Sequence, residues 1–187
     1  EGAILVNREA KRFINELETR DVVSKAILSQ EGKTAFLILD QHIVDNMAAI
    51  AKYKKAGLLK EAGSIKELAE LIGVPAAELE KTISTYNGYF KAKEDKEFGR
   101  RVLAGELATA PFYAVEVAPA IHHTMGGIKI NTNAQVISNS GNVIEGLFAA
   151  GEVTGGVHGG NRIGGNAVAD ITIFGSIAGK SAASYIK

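Results

Sequence analysis

Three features of the sequence predict a mixed α/β chain in two parts. Short runs rich in Ile, Leu and Val alternate with segments whose apolar residues recur at helical spacing. The chain closes in the order strand, glycine-rich loop, helix. Gly146-Leu-Phe-Ala-Ala150 leads into Gly151–Ala167, which holds seven glycines, and a mostly apolar helical pattern runs from Ala167 to Ile186. Composition also changes near Ala118, from helix-rich to strand-and-glycine-rich, which divides residues 1–119 from residues 120–187.

Ala3 to Val6 reads as a strand, followed by a polar turn over Asn7–Arg12 and a short return at Phe13-Ile14, so a hairpin is expected. Val22, Val23, Ala26 and Ile27 share one face of a helix that Thr19 or Asp21 would cap. Thr34–Asp40 is a buried strand, and helical periodicity returns from Gln41 to Tyr53 through Ile43, Val44, Met47 and Ile50. Ser64-Ile-Lys-Glu67 is a capping box, Gly73 ends the helix it starts, and Pro75 opens the next, with Leu79, Ile83, Tyr86 and Phe90 as its stripe. Lys91–Arg101 is charged and reads as a mobile surface loop. Pro111–Pro119 is a strand bounded by prolines. Ile128–Ile130 and Ala134–Ile137 read as paired short strands, and Asn139–Asn142 is a turn.

Composition narrows the function classes. Hydrophobic residues make up 46% and charged residues 22% of the 187, and Lys+Arg balances Asp+Glu at 21 each, as in ordinary globular proteins. Nothing marks a nucleic-acid footprint or a basic membrane patch. Cysteine is absent, which removes disulfides, thiolate metal sites and cysteine nucleophiles. No apolar run reaches the length of a membrane span. The chain opens at Gly2-Ala-Ile-Leu-Val-Asn7, already inside a strand-like run and without an initiator methionine. That reads more readily as the later part of a longer enzyme than as a mature N-terminus.

The glycine loop carries the chemistry. Glycines let backbone N–H groups approach a ligand, and the following helix offers unpaired N–H groups and a partial positive charge. Such a place suits an anionic or electron-rich group; the competing reading is a turn that packs a helix on a sheet. The G-x-G-x-x-G dinucleotide fingerprint is absent from the whole chain, so this loop is not the pyrophosphate cradle of a complete Rossmann unit. Glu152, His158 and Arg162 sit within the loop. Arg162 beside a helix start suits a two-pronged grip on a carboxylate or phosphate. Glu152 suits hydrogen bonds to a ribose or a ring donor, or is satisfied by loop N–H groups. His122-His123, next to Gly126-Gly127, is the second candidate. On an extended strand the two rings point to opposite faces, so one faces a ligand while the other packs, or both are ordinary hydrogen-bonded histidines. A zinc site needs three or four ligands, and His42 and His158 lie at no recognisable spacing from them. Arg20, between Thr19 and Asp21 and just after Glu16 and Glu18, reads by itself as a surface ion pair.

His122-His-Thr-Met-Gly-Gly127 and the full loop Gly151-Glu-Val-Thr-Gly-Gly-Val-His-Gly-Gly-Asn-Arg-Ile-Gly-Gly-Asn-Ala167, together with Gly2-Ala-Ile-Leu-Val-Asn7 and Thr19-Arg-Asp21, resemble the C-terminal part of the soluble fumarate reductases. These are the flavocytochrome c type and its NADH-linked and urocanate-reducing relatives, within the succinate dehydrogenase and fumarate reductase flavoprotein superfamily. The resemblance runs through essentially the whole chain. It implies an α+β clamp domain at 1–119 joined to the C-terminal segment of a Rossmann-like FAD-binding domain at 120–187. It implies FAD as cofactor, with haem in a domain outside this chain where haem is used, and reduction of fumarate to succinate. By the same resemblance Arg20 is the proton donor, His122 and Arg162 bind the substrate carboxylates, and FAD contacts fall on His123, Glu152, Gly165 and Val168.

The resemblance has limits. Gly175-Ser176 stands where the family pattern has Gly-Arg, and the Rossmann strand-loop-helix and upstream substrate ligands are not in these residues, so this chain by itself is expected neither to bind FAD tightly nor to turn over. Urocanate or an acrylate is the alternative substrate. A flavoenzyme running the other way, such as a ketosteroid dehydrogenase, is a second alternative, against which the His122 and Arg162 pair argues. A non-catalytic interaction module that kept the fold is a third. The electron donor lies outside this stretch, and the flavocytochrome c relatives suggest a periplasmic home, with a cytoplasmic one as the alternative.

Overall fold

The computed structural model describes residues 2–186. It separates into two compact units, Glu1–Pro119 and Ala120–Lys187. Both helix and sheet are present, as the sequence predicts, and no barrel closes among the described residues.

The first unit is built on a four-stranded antiparallel sheet in the order β1-β2-β4-β3, from β1 (Ile4–Val6), β2 (Ala35–Asp40), β3 (Lys60–Ala62) and β4 (Phe112–Val117). Register decides which residues share a face. Ile4 pairs with Ile38 and Val6 with Phe36, and these four enter the large core with Leu68, Leu79, Ile83 and Tyr86. Those last residues come from α4 (Ile65–Ile72) and α5 (Ala76–Ala92). One residue out of step, Leu5 and Ala35, with Leu37 and Val117 beside them, meet Ile27 and Val23 of α1 (Arg20–Leu28) in a smaller cluster on the other face. The period-two alternation of a strand thus covers the sheet on both sides.

Local signals fix the ends of most elements. Ser64 accepts from Glu67 N at 3.2 Å, Glu67 Oε2 accepts from Gly63 N at 3.0 Å, and Gly73 closes α4 at φ 72°. Asp40 ends β2 and caps α2 (Gln41–Asn46), accepting from Ile43 N at 3.1 Å. Its second oxygen accepts from Ala108 N at 3.1 Å and Thr109 N at 3.0 Å, which ties the approach to β4 onto β2. The helix expected over Gln41–Tyr53 is two, α2 and α3 (Ala48–Lys55), broken at Met47 (φ −124°, ψ 99°). Asn46 turns its amide back onto His42 O at 2.8 Å, the local competition that makes Asn a poor helix interior residue. The short edge strand β3 has no periodic signal of its own; it forms because β4 offers a free edge.

Two expectations for this unit are overturned together. Phe13-Ile14 does not return along β1, which pairs with β2 instead. Lys91–Arg101 is not a solvated loop, because Asp95 and Arg100 are buried. The reason is one buried charge cluster. Arg12 Nε bonds Glu16 Oε1 at 2.9 Å and its Nη2 bonds Asp95 Oδ2 at 2.9 Å, while Arg100 Nη1 reaches Glu16 Oε2 at 3.1 Å and Ala3 O at 2.8 Å. Leu5 N donates to Glu16 Oε1 at 3.2 Å, so the segment after Arg12 meets β1 through a carboxylate rather than a strand. Arg12 also lies over Phe98 and Tyr86, at 5.0 and 5.5 Å from the ring centroids.

The second unit is thinner. β5 (Gln135–Ile137) and β6 (Val143–Phe148) form an antiparallel pair with a bulge, and α6 (Asn166–Tyr185) packs against β6. The pairing expected between residues 128–130 and 134–137 is present as one antiparallel bridge, Ile130 to Val136, with Asn131 N donating to Gln135 O at 3.1 Å and Ile137 N to Lys129 O at 2.8 Å. Among the described residues of this unit only Ala134 and Val136 are fully buried apolar side chains. Among the described residues no helix is long and apolar enough to cross a membrane.

The charge cluster sets the acid stability of the first unit. Burial pushes the Asp95 carboxyl up, but the Arg12 guanidinium and the N–H groups of Phe98 and Glu97 outweigh it, so its pKa is lowered. A carboxyl held below its unfolded value stabilises fully above about pH 4, and that contribution is lost as pH falls through the folded value. Asp95→Ala is expected to cost about 3–5 kcal/mol, the penalty for leaving a buried guanidinium short of its partner. Urea unfolding followed by tyrosine near-UV dichroism checks this, and the variant should lose less stability than the parent between pH 5 and pH 2.

Candidate functional site

The second unit is organised by a close crossing of two backbones. Ile128 N donates to Val153 O at 2.8 Å and Gly155 N donates to Ile128 O at 3.0 Å, so the segment after His122-His123 runs beside the start of the glycine loop. A Cβ on Gly127 would lie 2.3 Å from Val153 O, and one on Gly155 would lie 2.5 Å from Gly127 N. These two glycines are therefore required by packing, and the turn reading of the loop is right for them. At Gly156, Gly159, Gly160 and Gly165 an added Cβ would meet nothing within 4 Å, and Gly156, Gly159 and Gly165 are glycine for their positive φ of 91°, 63° and 89°. Their backbone is free to face a ligand. Gly165 (φ 89°) is the N-cap of α6 and supplies no side-chain cap, so the positive end of a 20-residue helix is left open.

Around the crossing, side chains from separate segments meet. His123 is buried, with its side chain 7% exposed, and its Nδ1 lies 3.7 Å from Glu152 Oε2. Glu152, in the single 3-10 turn Gly151–Val153 after β6, accepts from Thr124 N at 2.9 Å through its other oxygen. The His123 ring stands edge-on to His158, with centroids 5.5 Å apart at 68°. His158 Nε2 in turn lies 3.0 Å from Asp170 Oδ2, and Asp170 is buried on α6. The order Glu152, His123, His158, Asp170 is continuous.

Three buried polar atoms in this unit have no hydrogen-bond partner: His123 Nε2, Arg162 Nε and Asp170 Oδ1. Leaving such a group unpaired costs about 1–3 kcal/mol, more when it is charged. Native proteins keep few of them, and a place meant for a ligand is a standard reason. Arg162 is the clearest case: its residue is 7% exposed and its only hydrogen bond among the described residues is a 3.4 Å contact to Ile163 O.

The structure sorts the residues singled out in the sequence. His123 and Glu152 are brought together. Gly165 and Val168 sit at the open start of α6, with Val168 66% exposed. His122 is exposed next to the buried His123, which matches one ring outward and one packed. No strand forms there, however; residues 118–127 are irregular, because the crossing rather than a sheet satisfies the backbone. Arg20 belongs to the first unit, as the exposed first residue of α1 behind the N-cap Thr19. Its expected surface ion pair is absent among the described residues, because Glu16 is spent on Arg12 and Arg100 and Glu18 bonds Asn15. Among the described residues no group of three or more His, Asp or Glu side chains is arranged to hold a metal.

The partnership of His158 and Asp170 was not legible in motif spacing. The available signal was chemical: Asp170 is the only acidic residue on α6. An isolated acid on a mostly apolar helix asks for a buried partner.

Comparison with known proteins shows the family of the chain. The FAD binding domain family matches residues 1–168. The chain is 48% identical over 186 residues to "Fumarate reductase (cytochrome)" of Shewanella frigidimarina, covering all of this chain and 33% of the relative. It is 45% identical over 191 residues to "NADH:acrylate oxidoreductase" of Vibrio harveyi, covering all of this chain and 19% of that relative. The solved open conformation of a flavocytochrome c3 fumarate reductase superposes with a TM-score of 0.81 at 48% identity, over 98% of this chain and 33% of that one. The chain thus spans about a third of the length of the fumarate reductases it matches.

The crossing makes a direct prediction. Gly127→Ala should cost at least about 2 kcal/mol, because backbone rather than a flexible side chain must move. Gly179→Ala, within α6 with nothing near its Cβ, should be neutral or stabilising by about 0.5–1 kcal/mol. Amide hydrogen exchange at Ile128 and Gly155 should speed up in the first variant alone.

Proposed function

Because this chain belongs to the FAD binding domain family, we propose that it is part of an FAD-dependent oxidoreductase that reduces the C=C bond of fumarate to give succinate. The observation that carries this reading is Arg162, a buried guanidinium with an unpartnered Nε in a glycine loop. An arginine in that state is complementary to a carboxylate, which accepts two parallel N–H bonds and neutralises the charge. Fumarate offers two carboxylates. Arg162 takes one, His122 supports carboxylate binding from the neighbouring segment, and together they hold the alkene in one orientation.

The second unit fits the cofactor. Glu152 keeps one oxygen free of hydrogen bonds, Gly165 presents open backbone, Val168 presents an apolar surface, and His123 has an unpartnered Nε2. These residues would hold FAD, with the α6 N-terminus favouring negative charge on it. FAD, once bound and reduced by the electron donor, would supply a hydride to one alkene carbon.

Arg20 is assigned delivery of the proton to the adjacent carbon. A guanidinium is a weak acid, yet the carbanion-like carbon is a far stronger base, so the transfer runs downhill. Asp21, next in sequence, has its carboxyl pKa lowered by the Thr19 hydroxyl and by the N–H groups of Asp21 itself and Val22. Asp21 is therefore anionic at neutral pH. Haem in another domain, electron transport in anaerobic respiration and a periplasmic location accompany the flavocytochrome c resemblance. The Vibrio harveyi relative supports a second reading, an acrylate as substrate in place of fumarate, and urocanate remains a third candidate.

The test is oxidation of a reduced viologen by the full-length protein with fumarate, an acrylate and urocanate in parallel. Turnover with fumarate is the expected result; turnover only with another of the three moves the substrate assignment; none, with FAD bound, removes the reductase reading. Arg20→Ala should lower kcat about 10²–10⁴-fold without changing FAD content. Arg162→Ala should raise KM about 10- to 100-fold, the worth of a charged hydrogen-bonded contact.

A further inference from the structure

We propose that Asp170 and His158 form a positioning pair that fixes His123, and through it the segment carrying the carboxylate ligand His122; this rests on the function proposed above. Three observations lead to it. Asp170 is a buried acid whose only bond among the described residues is to His158 Nε2, at 3.0 Å. Burying a carboxylate for packing alone is unfavourable, since an apolar residue of similar size fills the space at less cost. The partner ring, with its side chain 10% exposed, presents its other face to a second histidine rather than to water.

The bond has a defined consequence. An acceptor at Nε2 keeps the proton on that nitrogen and holds the ring in one rotation about its χ angles. A ring held in that way is a fixed wall. His123 packs edge-on against it, in the geometry that aromatic pairs prefer. On its other side His123 faces Glu152, which holds Thr124 N at 2.9 Å. The backbone of residues 122–124 is therefore gripped between α6 and the 3-10 turn, and His122 leaves that grip towards the open side. Without Asp170, the His158 ring is free to turn, the wall against His123 is lost, and His122 samples several positions.

The charge of Asp170 is not required by this role; an acceptor atom is. Asp170→Asn keeps an amide oxygen facing His158 Nε2, whereas Asp170→Ala removes it. The measurement is the dissociation constant of succinate for the oxidised full-length protein, read from the flavin difference spectrum, beside the ring ¹⁵N–¹H signals of ¹⁵N-histidine-labelled protein. Asp170→Ala should weaken succinate about tenfold, the size of effect expected when the group orienting a ligating histidine is lost. It should also lose the slowly exchanging His158 ring signal and shift that of His123. Asp170→Asn should keep both signals and bind succinate as the parent does. Should Asp170→Ala fail to fold, His158→Gln serves, because it keeps a donor for Asp170 and removes only the wall; succinate should again weaken about tenfold.

Parental succinate binding in Asp170→Ala or His158→Gln, or an Asp170→Asn variant as weak as Asp170→Ala, overturns the pair as a positioning device. If the parent protein binds no succinate and reduces no fumarate, the function proposed above fails instead. The His123 ring signal then decides the pair alone, and an unchanged signal in Asp170→Ala overturns it.

Discussion

The crossing of Gly127 and Gly155 is the constraint on which the second unit depends. Two backbones approach so closely that neither position admits a Cβ. They are locked by hydrogen bonds of 2.8 and 3.0 Å around Ile128. From that lock the histidine segment and the glycine loop leave in set directions, and this is what brings His123 beside Glu152 and His158. The unit holds its site in place locally. It does so with close backbone contact and side-chain hydrogen bonds, which are directional and short in range.

Buried charge is used differently in the two units. In the first, Asp40 satisfies itself on three backbone N–H groups, and Arg12, Glu16, Asp95 and Arg100 bond one another, with Arg12 Nη1 left without a partner. Burial works against the Arg12 charge, and the bonds to Glu16 and Asp95 outweigh it, so its pKa is raised above the ordinary arginine value. These are groups placed to join segments distant in sequence, and they have little acceptor capacity left for a ligand. In the second unit, His123, Arg162 and Asp170 each keep a buried atom without a partner. Buried polar atoms without a partner occur in both units, Arg12 Nη1 and Tyr86 Oη in the first, so what sets Arg162 apart is that its guanidinium has no acidic partner at all among the described residues.

Much of this was legible in the sequence, for reasons that differ by element. β2, β4, α4, α5 and α6 carry strong local signals: a continuous apolar run, a proline-bounded run, a capping box with a C-terminal glycine, and long helical periodicity. The glycine loop and its arginine were legible because few structures need that composition. Elements that failed were those decided by distant partners. Phe13-Ile14 looks like a return strand until Glu16 is known to meet Arg12 and Arg100, and Lys91–Arg101 looks solvated until Asp95 is known to meet Arg12. Charge reads as exposure when its partner is more than 80 residues away. The link from Asp170 to His158 is hidden for a related reason: twelve residues separate them across a loop whose path no periodicity sets.

Unpaired buried groups also link binding to folding in the second unit. Arg162 and His123 keep atoms in the folded state that water would satisfy in the unfolded chain, so their desolvation opposes folding. A ligand that bonds those atoms removes the penalty only in the folded state, and at a hundred times its dissociation constant it stabilises by about 2.7 kcal/mol. The same penalty, relieved by a carboxylate, is what makes the site select an anion: neutral ligands of similar shape would leave the guanidinium buried without compensation. The desolvation penalty at Arg162 is therefore returned as affinity and discrimination when a carboxylate is bound.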